Sequence, residues 1–324
     1  MEWIWKGDPQ GVACIDAVID YPDGREALRH RIEFRVQNQR LHLVDERIEN
    51  ATPHASHPDP HYYYRYEKGY PCLSIRNTTA KQKLLPSTVL PDESILSQVR
   101  DPPRYPELAY LSDQYKSSRL FREWTFGRTS VFRTPQAADL RSDILEENFS
   151  NLGLFLSHLR TIPKVKNAII SQLQGLYEGI DEFDVRIKGG TVEVFLIEGD
   201  IIIPASRLSD GTLRFLCLLA ILCDPEPPPL ICIEEPELGL HPDLLPKIAD
   251  LLISASERTQ LVVTTHSDIL IDAMTDRPEC VVIFERHNLC TQAIRLNEAE
   301  LVEWLQKYRL GQLWTRGHIG GVRW

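Results

Sequence analysis

The sequence predicts an α/β fold, with a parallel sheet flanked by helices in its C-terminal half, an antiparallel β region at its N-terminal end and a helical insertion between them. Three observations predict it. Short β-branched runs at residues 230–233, 261–264 and 281–284 alternate with helical segments after Leu208, the mark of a parallel sheet covered on both faces. Residues 11–48 instead carry short runs of alternating polarity, the period of half-buried antiparallel strands. Between these regions, Leu, Ile and Phe recur at spacings of three and four over residues 140–159 and 165–176, which is helical periodicity. The expected division is therefore residues 1–139 as the antiparallel region with a loop insertion, 140–190 as the helical segment and 191–324 as the parallel-sheet lobe.

The composition sets the broad class. A chain of 324 residues with 43% hydrophobic and 25% charged residues can bury a large core. No run reaches the roughly 18 consecutive apolar residues of a membrane span, and Met1-Glu2-Trp3-Ile4-Trp5-Lys6 lacks the form of a signal peptide. No membrane association is expected, and the cytoplasm is the default compartment. Seven cysteines without a Cys-x-x-Cys pair give no even disulfide framework, and Cys217, Cys223 and Cys232 lie in apolar stretches as buried thiols. The net charge of −10 argues against wholesale attraction to nucleic acid, which needs clustered Lys and Arg. Arg119, Arg122, Arg128, Arg133 and Arg141 are the best candidate for a local basic face, weighed against a solvated helical surface with scattered ion pairs.

In chain order, Ile15-Asp16-Ala17-Val18-Ile19 and Ile32-Glu33-Phe34-Arg35-Val36 are expected strands joined across Tyr21-Pro22-Asp23-Gly24. Residues 51–72, rich in Pro, His and Tyr, and the segment around Asp101-Pro102-Pro103 are expected surface loops or an insertion. His54, His57 and His61 raise a metal site, but only Asp59 lies nearby as a carboxylate and the prolines disfavour a helix, so a solvated loop is expected. Residues 192–197 and 201–203 form a hairpin around Gly199-Asp200. Then follow a helix over 212–223, a strand at 230–233, a helix from Pro242, a strand at 261–264, a short helix after Asp268 and a strand at 281–284.

Ligands of open α/β sheets collect beyond the carboxyl ends of the strands. Glu234-Glu235-Pro236-Glu237 follows one such strand and Thr265-His266-Ser267-Asp268 follows another. Adjacent acids there can divide two tasks, one facing a hydrated Mg²⁺ and one facing a water that must lose a proton. A neighbouring histidine can orient that water or hydrogen-bond a phosphate. Taken singly, the first segment suits a solvated strand exit and the second a helix cap. A third element joins them. Leu208-Ser209-Asp210-Gly211-Thr212 puts Ser and Gly at the start of an apolar helix, where free N–H groups and the helix dipole favour an anion.

In order and spacing, these segments resemble the ABC-type ATPase head. Leu208-Ser209-Asp210-Gly211-Thr212 resembles the signature motif, residues 230–235 the Walker B strand, Leu238-Gly239-Leu240-His241-Pro242-Asp243 the D-loop, and Thr264-Thr265-His266-Ser267-Asp268 the H-loop. The wording of residues 234–242, and the ending Leu313-Trp314-Thr315-Arg316-Gly317-His318-Ile319-Gly320-Gly321, are similar to the RecF/SMC-like AAA-type (OLD-like) ATPases. The resemblance covers about residues 190–324 and implies a P-loop NTPase-like sheet, ATP and Mg²⁺. It also implies Glu234 as the Mg²⁺-side acid, Glu235 as general base, His266 as the γ-phosphate histidine, and Ser209 with Gly211 on the nucleotide of an opposite subunit. Asp210, beside them in the nucleotide-facing motif, replaces its usual Gly. Two heads would sandwich two ATP molecules, with DNA or a nuclease as further partners in DNA repair, chromosome maintenance or antiphage defence.

One part of the pattern is absent. A P-loop needs Gly-x-x-x-x-Gly-Lys followed by Ser or Thr, and this sequence has no Gly-Lys pair, since Lys6, Lys68 and Lys188 all precede their glycines. The first expectation is a shortened or split head, completed by a partner chain that supplies the Walker A segment. The second is a degenerate head that does not hydrolyse ATP and serves as a scaffold or partner-binding protein. Retention of Glu235, His266 and Ser209 favours the first. The resemblance puts the P-loop strand beside the strand that carries His266, so an exposed sheet edge and a tendency to aggregate, swap strands or need a partner are expected. A metal-dependent nuclease using Glu234, Glu235 and Glu237 is a third reading, which leaves the signature and His266 unexplained.

Overall fold

The computed structural model describes residues 11–321 except 23–24, 38–39, 54–57, 68–69, 76–80, 126, 177–178 and 289. Met1 to Lys6, the turn residues Asp23 and Gly24, and His54 and His57 lie outside the described residues. The chain forms two compact units, one ending at Ser117 and one starting at Ser118.

The first unit is an antiparallel sheet in chain order: β1 (Ala13–Ile19), β2 (Leu28–Gln37), β3 (Arg40–Asn50), β4 (Tyr62–Glu67), β5 (Tyr70–Ser74) and β6 (Lys81–Lys83), followed by α1 (Ile95–Gln98) and α2 (Pro106–Ser117). Period-two alternation builds it, since Leu28 and His30 turn inward while Arg29 and Arg31 turn out to Asp16 and Glu33. Leu28, Ile48, Tyr64 and Leu73 meet Ile95, Leu96, Leu108 and Leu111 in its core. Glu46, buried there, accepts from Ser94 Oγ (2.5 Å), from the Ile95 N–H at the start of α1 (2.9 Å) and lies 3.1 Å from His30 Nε2, whose ring is 3.0 Å from the Tyr115 hydroxyl at Nδ1. A buried carboxylate is tolerated only with such partners.

The loop expected over residues 51–72 contains β4 and the start of β5 instead. Tyr62 and Tyr64 are buried, and an aromatic run that packs one ring in two suits a pleated strand despite the flanking prolines. His61 of the proposed histidine loop stands against the Tyr63 ring, centroids 5.0 Å apart.

The second unit continues with β7 (Arg119–Phe121), β8 (Gln136–Ala137), α3 (Leu152–Arg160), α4 (Pro163–Leu176), β9 (Glu182–Lys188), β10 (Thr191–Glu198), β11 (Ile201–Pro204) and α5 (Asp210–Leu222). It ends with β12 (Leu230–Glu234), α6 (Leu245–Ser256), β13 (Gln260–Thr264), α7 (Asp268–Asp272), β14 (Val282–His287), β15 (Cys290–Arg295), α8 (Glu298–Leu305) and α9 (Leu310–Thr315). Strands β8 to β11 make an antiparallel sheet centred on β10. Parallel strands β13, β12 and β7 lie side by side in that order.

Helix α5 is the hub. Every residue from Leu213 to Leu222 is buried, as expected of a helix that is apolar all round, and each buried Leu or Phe contributes about 1.5–3 kcal/mol relative to exposure. Its neighbours in the core include Phe155 and Leu159 of α3, Ile169 of α4, Ile231 and Ile233 of β12, and Ile248 of α6.

Further expectations change. Only residues 152–160 of the predicted 140–159 helix are helical; before them, Asn151 uses its side chain to bind the carbonyls of Arg141 and Ile144 and the N–H of Glu146, the local side-chain bonding that competes with a helix. The strand near 281–284 pairs with β15 as a hairpin, and β7 takes third place in the parallel sheet. That sheet is not covered on both faces by its own unit, because Leu120 and Val262, in register across Cys232, are 42% and 49% exposed. The arginines from 119 to 141 do not line a helix: Arg119 lies in β7, Arg133 binds Asp210 and Arg141 binds Asp143. Cys217 is buried as expected, whereas Cys223 and Cys232 are half-buried. No described helix is long and apolar enough to cross a membrane.

Candidate functional site

The parallel register brings the candidate residues to one sheet edge. Glu234 pairs with Thr264 across β12 and β13, so Glu235 and residues 265–266 leave the sheet side by side at its carboxyl end. The Glu235 N–H extends the ladder by donating to the Thr264 carbonyl at 2.9 Å. Glu235 then turns into the left-handed region, φ 44°, an uncommon conformation for a non-glycine residue that costs about 1–3 kcal/mol. A Leu238 N–H to Glu235 carbonyl bond of 3.2 Å closes the turn over Pro236.

This turn aims the Glu235 side chain. Glu235 Oε1 lies 3.6 Å from His266 Nε2, with the imidazole side chain 83% exposed and the carboxylate 30% exposed. Carboxylate and imidazole therefore share a space open to a ligand and are not locked to one another by a short hydrogen bond. Glu234 is exposed beside them, and its carbonyl accepts from Trp124 Nε1 at 2.9 Å.

Glu237 fixes the histidine loop. Its Oε1 accepts from Thr265 Oγ1 at 2.7 Å and from the His266 N–H at 2.8 Å. The Ser267 N–H in turn donates to Thr265 Oγ1, and Ser267 Oγ caps α7 by accepting from the Leu270 N–H. The helix-cap reading of Thr-Thr-His-Ser-Asp thus describes Ser267 and leaves the imidazole unused.

Ser209 is the N-cap of α5, its Oγ accepting from the Thr212 N–H at 3.0 Å. Asp210 bonds to its own chain while its side chain stays 39% exposed: Oδ1 accepts from Arg133 at 2.6 Å and Oδ2 from the Gly127 N–H at 3.3 Å. The Arg133 guanidinium holds the Asp210 carboxyl below the usual carboxylate range. The structure thus gives the Asp that replaces a signature Gly an internal partner of its own. Gly211 is needed for close approach, since a Cβ there would stand 3.0 Å from the Gly239 carbonyl oxygen. The signature-like and D-loop-like segments therefore touch within one chain.

Arg214 and Trp124 are site residues that the sequence reading did not single out, whereas Arg133 and Glu237 were named there only for a basic face and a nuclease site and instead hold Asp210 and the 265–266 segment. A lone Arg in the apolar run over 212–223 was the available signal, because an Arg in such a helix is buried only with partners.

An acid pair at the end of one strand, a histidine at the end of the next and a serine-capped helix against the intervening loop lie together in a chain whose fold class is that of the AAA-type domains. The chain belongs to the AAA-domain family described as "AAA domain, putative AbiEii toxin, Type IV TA system", whose profile matches residues 97–272. It is 26% identical to the Old nuclease of Escherichia phage P2 over 39% of this chain, and spans only about a quarter (26%) of that relative's length. Among solved structures it is similar to an SMC head bound to the C-winged helix domain of ScpA, with 14% identity and a TM-score of 0.45 over 85% of this chain and 76% of that one. It is also similar to the SMC head domain from Thermotoga maritima, with 15% identity and a TM-score of 0.35 over the same shares.

Proposed function

We propose that this chain is an ATP-binding and ATP-hydrolysing head that acts by nucleotide-dependent dimerisation in DNA repair, chromosome maintenance or antiphage defence. The approach of Glu235 to His266 at 3.6 Å, from adjacent parallel strands, carries the reading. Glu235 takes the proton of the attacking water as that water's oxygen bonds to the γ-phosphorus and the bond to the ADP oxygen breaks. His266 donates a hydrogen bond to a γ-phosphate oxygen. Ser209 Oγ and the N–H groups at the start of α5 face the γ-phosphate held by the opposite head.

The exposed Glu234 carboxylate suits a hydrated Mg²⁺, an ion that prefers one or two carboxylates plus phosphate oxygens and water. When bound, Mg²⁺ supplies charge neutralisation at the phosphates. The cradle for the remaining phosphates is not encoded between Met1 and Trp324, where no Gly-Lys pair occurs. A partner chain or further segment carrying the Walker A sequence is the proposed source, and the outer edge of β13, the strand leading to His266, ends the parallel sheet among the described residues and offers a free ladder to it. A nuclease partner and a role against phage are in keeping with the nuclease relative and the toxin family description.

The absent Gly-Lys pair favours one second reading, a scaffold head that does not turn over ATP. The nuclease reading is less well supported, because Glu237 spends its Oε1 on Thr265 and His266. Sedimentation of the full protein with its Walker A source separates the first two. Association driven by ATP and Mg²⁺, absent with ADP and lost in Ser209→Arg, is expected of the ATPase head. Association indifferent to nucleotide would leave only the scaffold.

A further inference from the structure

We infer that Arg214, with Trp124 stacked on it, is a positioning residue that holds the left-handed turn at Glu235 and couples it to the helix start at Ser209 and Gly211. The inference rests on the base role proposed for Glu235. Arg214 is 1% exposed. Its guanidinium donates to the Glu235 carbonyl at 2.5 Å and lies 4.1 Å from the centroid of the Trp124 ring. The same indole donates to the Glu234 carbonyl at 2.9 Å. Two consecutive carbonyls at the end of β12 are thus held by two groups that pack on each other, and the second of those carbonyls belongs to the residue whose φ is 44°.

A buried guanidinium is a costly way to fill space, and an apolar side chain of similar length is often no less stable in its place. Burial pushes Arg214 down to about 10, with Glu237 the largest opposing influence, so it remains a cation at neutral pH. Among what the cation adds over a methionine is a directed, charge-assisted hydrogen bond to the Glu235 carbonyl. Helix α5 therefore meets the 235–239 segment at two points about a turn apart: Arg214 bonds the Glu235 carbonyl, and Gly211, by lacking a Cβ, leaves room for the Gly239 carbonyl. A shift of the helix start as Ser209 meets a phosphate is passed directly to the base. This makes α5 the element that lets the opposite nucleotide regulate hydrolysis at Glu235.

The test compares Arg214→Met, Arg214→Lys and Trp124→Phe with wild type by amide hydrogen exchange on the full chain and by ATP turnover with the Walker A source present. Loss of one directed hydrogen bond is expected to speed exchange over residues 235–240 by roughly tenfold in Arg214→Met. The effect is smaller in Arg214→Lys, which keeps a donor, and in Trp124→Phe, which keeps the ring, and α6 is unchanged in all three. Turnover is expected to fall on the order of tenfold to a hundredfold in kcat for Arg214→Met, with KM for ATP nearly constant and part of the loss rescued by Lys. Wild-type exchange at 235–240 in a folded Arg214→Met protein would overturn the inference. If that variant does not fold, Trp124→Phe decides by the same readout. Absence of turnover in wild type would count against the base role of Glu235, while the exchange result still decides the clamp.

Discussion

Glu235→Gln is expected to lower ATP turnover by about 10²–10⁴-fold while leaving ATP binding near wild type. The amide keeps the size and shape of the carboxylate. It also leaves untouched the main-chain bonds that shape the turn, the N–H to Thr264 and the carbonyl to Arg214 and Leu238. What it removes is the ability to accept a proton, so binding and chemistry separate. Single-turnover hydrolysis beside equilibrium binding of ATP, on the full protein with its Walker A source, measures both. A variant that turns over at the wild-type rate would take Glu235 out of the chemistry and leave His266 without a base to work with.

The largest stability effect is expected at Phe149, where substitution by Ala should cost about 3–5 kcal/mol. Phe149 is fully buried, with the rings of Phe121, Trp124 and Phe132 at centroid distances of 5.2, 5.3 and 5.3 Å. One ring therefore knits β7, the segment that carries Trp124 and the chain before β8 into a single block. The cavity left by alanine has little chance to collapse, because the three surrounding rings are anchored on separate segments. Trp124 ties this block to the site through the Glu234 carbonyl, so the same variant should also loosen the turn at Glu235. Urea denaturation of the wild type and the variant gives the number. A change below about 1 kcal/mol would mean that the rings are not the structural centre of this region.

Much of the site was legible because its chemistry sits at strand ends. The runs 230–233 and 261–264 announced β12 and β13, and parallel pairing then forces the residues after them together, which is why Glu235 and His266 could be placed without coordinates. The hairpin around Gly199-Asp200 and the serine start of α5 were equally open to view. Long-range pairing was less legible. The run at 281–284 has the same composition whether it joins the parallel sheet or folds back on β15, and three-residue β7 is too short to show a period. Tyr62 to Glu67 hid beside a stretch of sequence rich in proline and histidine. The residues that shape the site were hidden for another reason: Trp124 and Arg214 act on main-chain carbonyls, and a carbonyl leaves no trace in the side-chain pattern. Arg214 within an otherwise apolar helix was the one visible irregularity.

The central proposition is that one head's acid and imidazole and the opposite head's serine-capped helix meet at a single terminal phosphate. The most direct measurement is the structure of the Glu235→Gln protein, assembled with its Walker A source, ATP and Mg²⁺. Residue 235 and His266 of one head and Ser209 Oγ of the other are expected within about 3 Å of the γ-phosphate or its attacking water. A nucleotide bound with Ser209 facing solvent, or with residue 235 turned away from the phosphate, would contradict the account.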